Sequence, residues 1–208
     1  KTVRKATLMM KLAFKTAALP LLCLAWPVLA HDGAVLRYGS FMAGITHPVL
    51  GVDHFLAMVS VGVVSAQIGG RAIWTVPATF VSVMALGGLL GMREVGLGAI
   101  EFGIAFSVLV LGSAIAADKR LPVAVAMVAV AVFAVFHGYA HGGEMPQVAE
   151  PVRYAAGFLT GTAMLHVTGL VIGDISQHYE RGKQALRVAG IIIAGLGCVF
   201  LYSALYGG

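Results

Sequence analysis

Long apolar segments separated by short polar connections dominate the chain. Most of them approach the roughly 20 residues that a helix needs to cross the hydrocarbon core of a bilayer. None shows the sustained alternation of apolar and polar positions that membrane strands require. The pattern predicts an all-α membrane protein, a bundle of about six transmembrane helices with the first one broken at a His-Pro motif. The segments lie approximately at 38–68, 72–92, 94–117, 121–141, 152–175 and 185–206.

The first segment contains two helix breakers close together. Pro48 lacks a backbone donor and disfavours helical geometry at His47, and Gly51 adds flexibility. A helix interrupted at membrane depth is tolerated only where it faces protein or a water-filled cavity. We therefore expect the break to line a cavity, with the helix restarting near Asp53.

Glycines recur at a spacing of four in several segments. Such small-xxx-small pairs let helix backbones approach closely in lipid, so they predict a packed bundle. They say nothing about a substrate. The pairs are Gly87/Gly91, Gly157/Gly161 and Gly169/Gly173.

The residues before the first segment resemble a secretory signal peptide. A basic stretch after Met10 precedes a short apolar core, and Ala30 ends a sequence that suits signal peptidase. We expect residues 1–30 to be an N-terminal extension and cleavable signal, starting at Met10, and 31–208 to be one polytopic transmembrane domain. An uncleaved first helix is the alternative. Cleavage would make His31 the mature N-terminus, where its α-amine and imidazole could capture a divalent cation.

The composition excludes several classes of protein. Only 11% of the 208 residues are charged, against about 25% in a soluble domain, and 59% are hydrophobic. The net charge of +5 does not indicate nucleic-acid binding, because five of the 14 basic residues lie in the first fifteen positions and no basic face follows. Two cysteines are too few for a thiolate metal site. No phosphate-binding loop is present, so no ATPase subunit is evident in the chain.

Basic residues give an orientation. With residue 31 outside, the second, fourth and sixth connections fall inside and hold six basic residues, against three in the outer ones. This is the bias that the positive-inside rule requires. We expect a multi-pass protein of the bacterial cytoplasmic membrane with both mature termini extracytoplasmic.

The first segment also contains the main candidate site. His47, Asp53 and His54 form a ligand set of two imidazoles and a carboxylate, which suits Ni²⁺, Co²⁺ or Zn²⁺. Ionisable groups are costly within a membrane span, so a functional role is the default interpretation.

A second group closes the fourth segment. His137 and His141 are four residues apart and share a helix face, and Glu144 follows them near the outer end. His166 lies in the middle of the fifth segment and Glu101 in the third, and each is weaker evidence alone. These positions predict an outer site leading to the first-segment motif.

At these residues the chain resembles the HupE/UreJ family of nickel permeases. The similarity is in the first-span HPVLGVDHFLAM, the fourth-span FHGYAHGGE and the fifth-span GTAMLHVTG. The resemblance implies uptake of nickel, and sometimes cobalt, for hydrogenase or urease maturation. It also implies that His47, Asp53 and His54 belong to the metal pathway. His137, His141, Glu144 and His166 are possible additions.

We therefore expect a secondary permease with no catalytic residue and no cofactor, which carries Ni²⁺ or Co²⁺ as substrate and has the lipid bilayer as its other partner. The alternative is an intramembrane zinc hydrolase resembling ceramidases, which also hold zinc with histidines. Two observations weigh against it: the histidines are expected at two depths, and no serine stands out near them. A third interpretation is an accessory subunit that buffers metal for a partner.

Overall fold

Seven α-helices account for nearly all of the described part of the computed structural model, which comprises residues 31–145 and 150–207, with only the backbone described at 31–37. No strand occurs in these ranges. The predicted signal peptide lies outside them. The helices are α1 (His31–Leu50), α2 (Val52–Ile68), α3 (Ala72–Met92), α4 (Ile100–Ala117), α5 (Val123–Gly143), α6 (Pro151–Gln177) and α7 (Glu180–Tyr206).

Five helices, α3 to α7, are long and apolar enough to cross a membrane. The segment Tyr38–Leu50 of α1 and helix α2 give a sixth span if the bent pair is counted as one. The all-α membrane architecture predicted from the sequence is therefore confirmed.

The predicted break in the first span is also confirmed, with a bend of 85° between the two halves. It falls at Gly51, whose backbone is extended (φ −84°, ψ 115°), rather than at His47-Pro48. Pro48 itself lies within α1, although an interior proline removes a helical hydrogen bond and crowds the carbonyl four residues earlier. The chain leaves the helix where a glycine makes extended geometry easy.

The third span begins later than predicted, at Ile100 rather than near residue 94. Glu94 and Ala99 both adopt positive φ angles, of 53° and 57°. This left-handed geometry cannot continue a right-handed helix, so the apolar residues between them form a connection instead.

Close backbone contacts hold the helices together. A Cβ atom at Gly87 or Gly91 would collide with the backbone of α5, and one at Gly157 would collide with the backbone of α1. Gly169 and Gly173 meet α2 in the same way. The predicted glycine contacts are thus confirmed. Helix α2 lies at the centre, where it packs against α3, α4 and α6.

The bundle is apolar outside as well as inside. Large side chains such as Val128 and Ile191 are more than 60% exposed, and so are aromatic residues near helix ends, including Trp74 and Tyr202. Exposed apolar helices with aromatic ends are typical of membrane proteins, in which tryptophan and tyrosine sit at the interfaces. Several polar side chains are instead fully buried. They include His54, Ser60, Ser107, His137, Thr162 and His166.

Candidate metal pathway

Four histidines from three helices form a continuous chain at the end of the bundle where α2 begins. Nε2 of His47 lies 2.7 Å from Nδ1 of His141. Nε2 of His141 lies 2.8 Å from Nδ1 of His54. Nδ1 of His54 lies 2.8 Å from Nδ1 of His137. Both ring nitrogens of His141 therefore face other histidines, one on each side. We call these four residues the histidine chain.

Local helix geometry explains how these side chains meet. His137 and His141 are one turn apart on α5, so both rings project from the same face. The break at Gly51 redirects the chain and places Asp53 and His54 in the first turn of α2. There the Asp53 carboxylate accepts a 2.7 Å hydrogen bond from the backbone N–H of His54, one of the donors that a helix start leaves without a partner.

Glu144 ends the histidine chain on the exposed side. Its Oε2 lies 3.4 Å from Nδ1 of His141 and 3.7 Å from Nε2 of His47. The two neighbouring imidazoles, His141 first and then His47, hold the pKa of Glu144 below its ordinary value, so the group is a carboxylate at neutral pH. His47, His141 and Glu144 have ligand atoms close enough together to hold one metal ion.

Ser107 ends the histidine chain on the buried side. Its hydroxyl donates a 2.6 Å hydrogen bond to the carbonyl of Ile104, so its oxygen is left to accept from Nε2–H of His137 at 2.9 Å. This arrangement leaves a lone pair on Nδ1 of His137, directed at His54. Such outer hydrogen bonds are how proteins set the tautomer of a metal-ligating histidine.

Nδ1 of His54 has two close contacts with other ring nitrogens. An imidazole nitrogen carries either one hydrogen or one lone pair in the ring plane, so it can make one good hydrogen bond. Nδ1 of His54 nevertheless lies 2.8 Å from a nitrogen of His137 and 2.8 Å from one of His141. One of these contacts is therefore not a hydrogen bond. Imidazole nitrogens gathered in this way are ligands that borderline divalent metals prefer.

Carboxylates line two cavities beside the histidine chain. Glu101 and Glu144 line a cavity of about 670 Å³. Glu101 and Asp53 line a second one of about 370 Å³. Negative charge in such cavities concentrates cations near the entrance to a site. We call Asp53, Glu101 and Glu144 the carboxylate rim.

His166 lies apart from the histidine chain. It is 1% exposed, and neither ring nitrogen has a hydrogen-bond partner among the described residues. Phe80 is fully buried beside both groups: its ring centre lies 5.8 Å from that of His137 and 5.2 Å from that of His166. An aromatic ring is thus in contact with the inner end of the histidine chain and with His166.

Comparisons with known proteins identify the family. A family model described as HupE / UreJ protein matches residues 19–200. The chain is 40% identical to Protein HupE of Rhizobium leguminosarum bv. viciae over 181 residues, which cover 87% of this chain and 94% of that protein. The chain belongs to the HupE/UreJ family. No solved structure matches it.

In this HupE/UreJ protein, most of the residues singled out in the sequence lie together. The histidine chain joins residues of the first-span and fourth-span motifs, and Glu144 touches its exposed end. Asp53 lies beside it in the carboxylate rim. His166 lies beyond Phe80. The prediction for His31 concerns a side chain outside the described part of the structure.

Two expectations used against a zinc hydrolase are wrong. The histidines of the two motifs are in direct contact rather than separated by depth. A serine, Ser107, contacts one of them. Sequence reasoning missed Ser107 and Phe80 because both lie within apolar segments without a motif of their own. The sequence feature that pointed to Ser107 was its location in the same segment as Glu101, the helix α4.

Proposed function

We propose that this HupE/UreJ protein is a secondary permease that imports Ni²⁺, or Co²⁺, across the bacterial cytoplasmic membrane for hydrogenase or urease maturation. The observation that carries the proposal is the convergence of ring nitrogens from His137 and His141 on Nδ1 of His54. Neutral imidazoles with a few carboxylates suit borderline divalent metals. The family membership and the name of the relative support the same assignment.

The contacts give an order to the pathway. The carboxylate rim attracts the ion, and His47, Glu144 and Nδ1 of His141 bind it first. The ion then moves to the other nitrogen of His141, where His54 and His137 complete the site. His141 is thus a ligand shared by an outer and an inner group. His166 offers the next nitrogen ligand once the ion has passed Phe80.

The membrane potential supplies the driving force. Two charges moving to an inside-negative compartment gain about 4.6 kcal/mol per 100 mV. The protein then needs only a selective path whose ligands replace hydration water and still release the ion. The distribution of basic residues supports an orientation with the histidine chain toward the outside and both mature termini extracytoplasmic.

Uptake of labelled nickel by cells tests the proposal. His54→Ala removes the ring on which the inner ligands converge, so we expect uptake to fall by at least about tenfold, because loss even of an outer partner of a metal ligand has an effect of this size. His178→Ala is the matched control, because this histidine is exposed at the far end of α6. Excess unlabelled Ni²⁺ or Co²⁺ should compete, whereas Mg²⁺ should not, because it prefers oxygen ligands. Normal uptake by His54→Ala would contradict the pathway.

The carboxylate rim gives a second prediction. Glu101→Gln removes one negative charge from both cavities, so we expect the apparent KM for Ni²⁺ to rise about fivefold while the maximal rate changes less. A charge roughly 8 Å from a divalent ion in water contributes about 1 kcal/mol, which gives this factor. Glu150→Gln is the control, since that carboxylate is paired with Arg153 at 2.9 Å. An unchanged KM, measured at low ionic strength, would exclude Glu101 from capture.

The contact between Ser107 and His137 also favours the alternative of an intramembrane zinc hydrolase, because a hydroxyl beside histidine ligands resembles a catalytic site. The two functions differ in how the metal is held. Purified protein that retains one zinc ion tightly and cleaves a lipid amide would favour the hydrolase. Weak, exchangeable nickel binding without cleavage would favour the permease.

A further inference from the structure

A second polar cluster ties four helices together at the end of the bundle opposite the histidine chain. Asp118 caps α4 in left-handed geometry (φ 49°). Its Oδ1 accepts 3.1 Å hydrogen bonds from the side-chain amides of Gln67 on α2 and Gln177 on α6. Its Oδ2 accepts from the guanidinium of Arg187 on α7 at 3.3 Å. We call these four residues the Asp118 latch.

The Asp118 latch lies on the helix face that leads away from the histidine chain. Ser107 and Asp118 are eleven residues apart on α4, which is close to three full turns and about 16 Å along the axis. Between them, at helical spacing, lie Leu111 and Ile115, which are 4% and 1% exposed. Gln67 also donates a 3.1 Å hydrogen bond to the carbonyl of Ile115. The latch therefore closes over the buried face that begins at Ser107.

The two ends of the bundle differ in access. Cavities reach Glu101 and Glu144 beside the histidine chain. At the other end, the Asp118 side chain is only 13% exposed and receives three donors. A permease that works by alternating access has one end closed while the other is open. In this structure the end with the histidine chain is accessible, and the opposite end, with the Asp118 latch, is closed.

We propose that the Asp118 latch is the inner gate of the pathway, opened when Arg187 leaves the carboxylate. This inference rests on the proposed function. The Arg187 side chain is 55% exposed, so its ion pair with Asp118 is weak. The guanidinium can therefore leave the carboxylate for water at a small cost in free energy. Asp118 then keeps only two neutral donors. Without the charged link from α7, the ends of α2, α4 and α6 separate more easily, and a cation that has passed the apolar stretch meets a carboxylate at the exit.

Thiol labelling measures the opening of this gate without any metal. Ile115→Cys, in the full chain with Cys23 and Cys198 replaced by serine, places the only thiol directly above the latch. The purified protein is treated with a charged, water-soluble methanethiosulfonate. We expect labelling about three- to fivefold faster when Arg187→Gln is added, the factor expected from losing an ion pair with one largely exposed partner. Arg187→Lys should restore slow labelling.

Two further variants keep the test decisive. Lys183→Gln is the matched control, because Lys183 lies one turn earlier on α7 and pairs with Glu180 at 2.8 Å, outside the latch. It should leave the labelling rate unchanged. If Arg187→Gln does not yield folded protein, Gln177→Leu removes one donor from Asp118 without changing a charge and should also accelerate labelling. Equal rates in the parent and the latch variants would overturn the gate.

The outcome is separate from that of the proposed function. Nickel binding by the histidine chain should be the same in Arg187→Gln as in the parent, as measured by equilibrium dialysis. Faster labelling in a protein that neither binds nor imports nickel would support the gate and contradict nickel import. Nickel import by a protein whose latch variants label at the parent rate would support the proposed function and contradict the gate.

Discussion

Replacing His141 with alanine is expected to lower nickel uptake and nickel binding by more than about 100-fold. Loss of an outer partner of a metal ligand alone costs about 10- to 100-fold in affinity, and His141 is a direct ligand in our account. It also serves two groups at once: Nδ1 faces His47 and Glu144, and Nε2 faces His54. His141 is therefore shared by the outer and the inner group of proposed ligands.

Comparison with single-group variants makes this prediction specific. Glu144→Gln should weaken only the outer group and His137→Ala only the inner group, so each should retain more nickel binding than His141→Ala. Adding Glu144→Gln to His141→Ala should cause little further loss, because the outer group is already broken. Additive losses in the double variant, measured by equilibrium dialysis of purified protein, would show that His141 and Glu144 do not share an ion.

Replacing Gly62 with leucine is expected to destabilise the bundle strongly. A Cβ atom at this position would collide with the backbone carbonyl of His166 and the backbone nitrogen of Leu170. Backbone atoms cannot rotate away, so α2 and α6 would have to separate along the interface that positions His54. Overpacking costs about 3 kcal/mol or more in such a case, which lowers the melting temperature by about 10 °C.

Gly195→Leu is the matched control for this variant. Gly195 is also in a membrane-spanning helix, but a Cβ atom there meets nothing within 4 Å. It should give the same yield of monodisperse protein in detergent as the parent, whereas Gly62→Leu should aggregate or melt earlier. Equal melting temperatures for Gly62→Leu and the parent would contradict the close packing of α2 on α6.

Much of this fold can be predicted from the sequence, for a physical reason. In a membrane, every backbone polar group must be satisfied within the segment, so long apolar segments become helices whatever their neighbours. The glycine pairs at 157/161 and 169/173 likewise indicate where helices touch. The start of α4 could not be predicted, because residues 94–99 are apolar enough for a span. The positive φ angles of Glu94 and Ala99 keep these residues out of the helix.

The candidate site was predictable in its members and less so in its arrangement. Histidines within apolar segments stand out because burying them is costly. Their mutual contacts depend on the bend at Gly51 and on the packing of α5 beside α2, which no local pattern specifies. Sequence reasoning separated His137 and His141 from His54 by depth, whereas their rings are in contact. The Asp118 latch was missed because its members belong to four different helices that are far apart in the sequence.

In the proposed function, a divalent metal ion crosses the membrane through the histidine chain of this protein without a second protein. Purified protein in proteoliposomes, with labelled Ni²⁺ outside and a potassium diffusion potential negative inside, measures this directly. We predict an influx that rises with the potential and that is lost in His54→Ala. The absence of potential-dependent influx in the parent protein, or equal influx through His54→Ala, would exclude the histidine chain as the pathway of the ion.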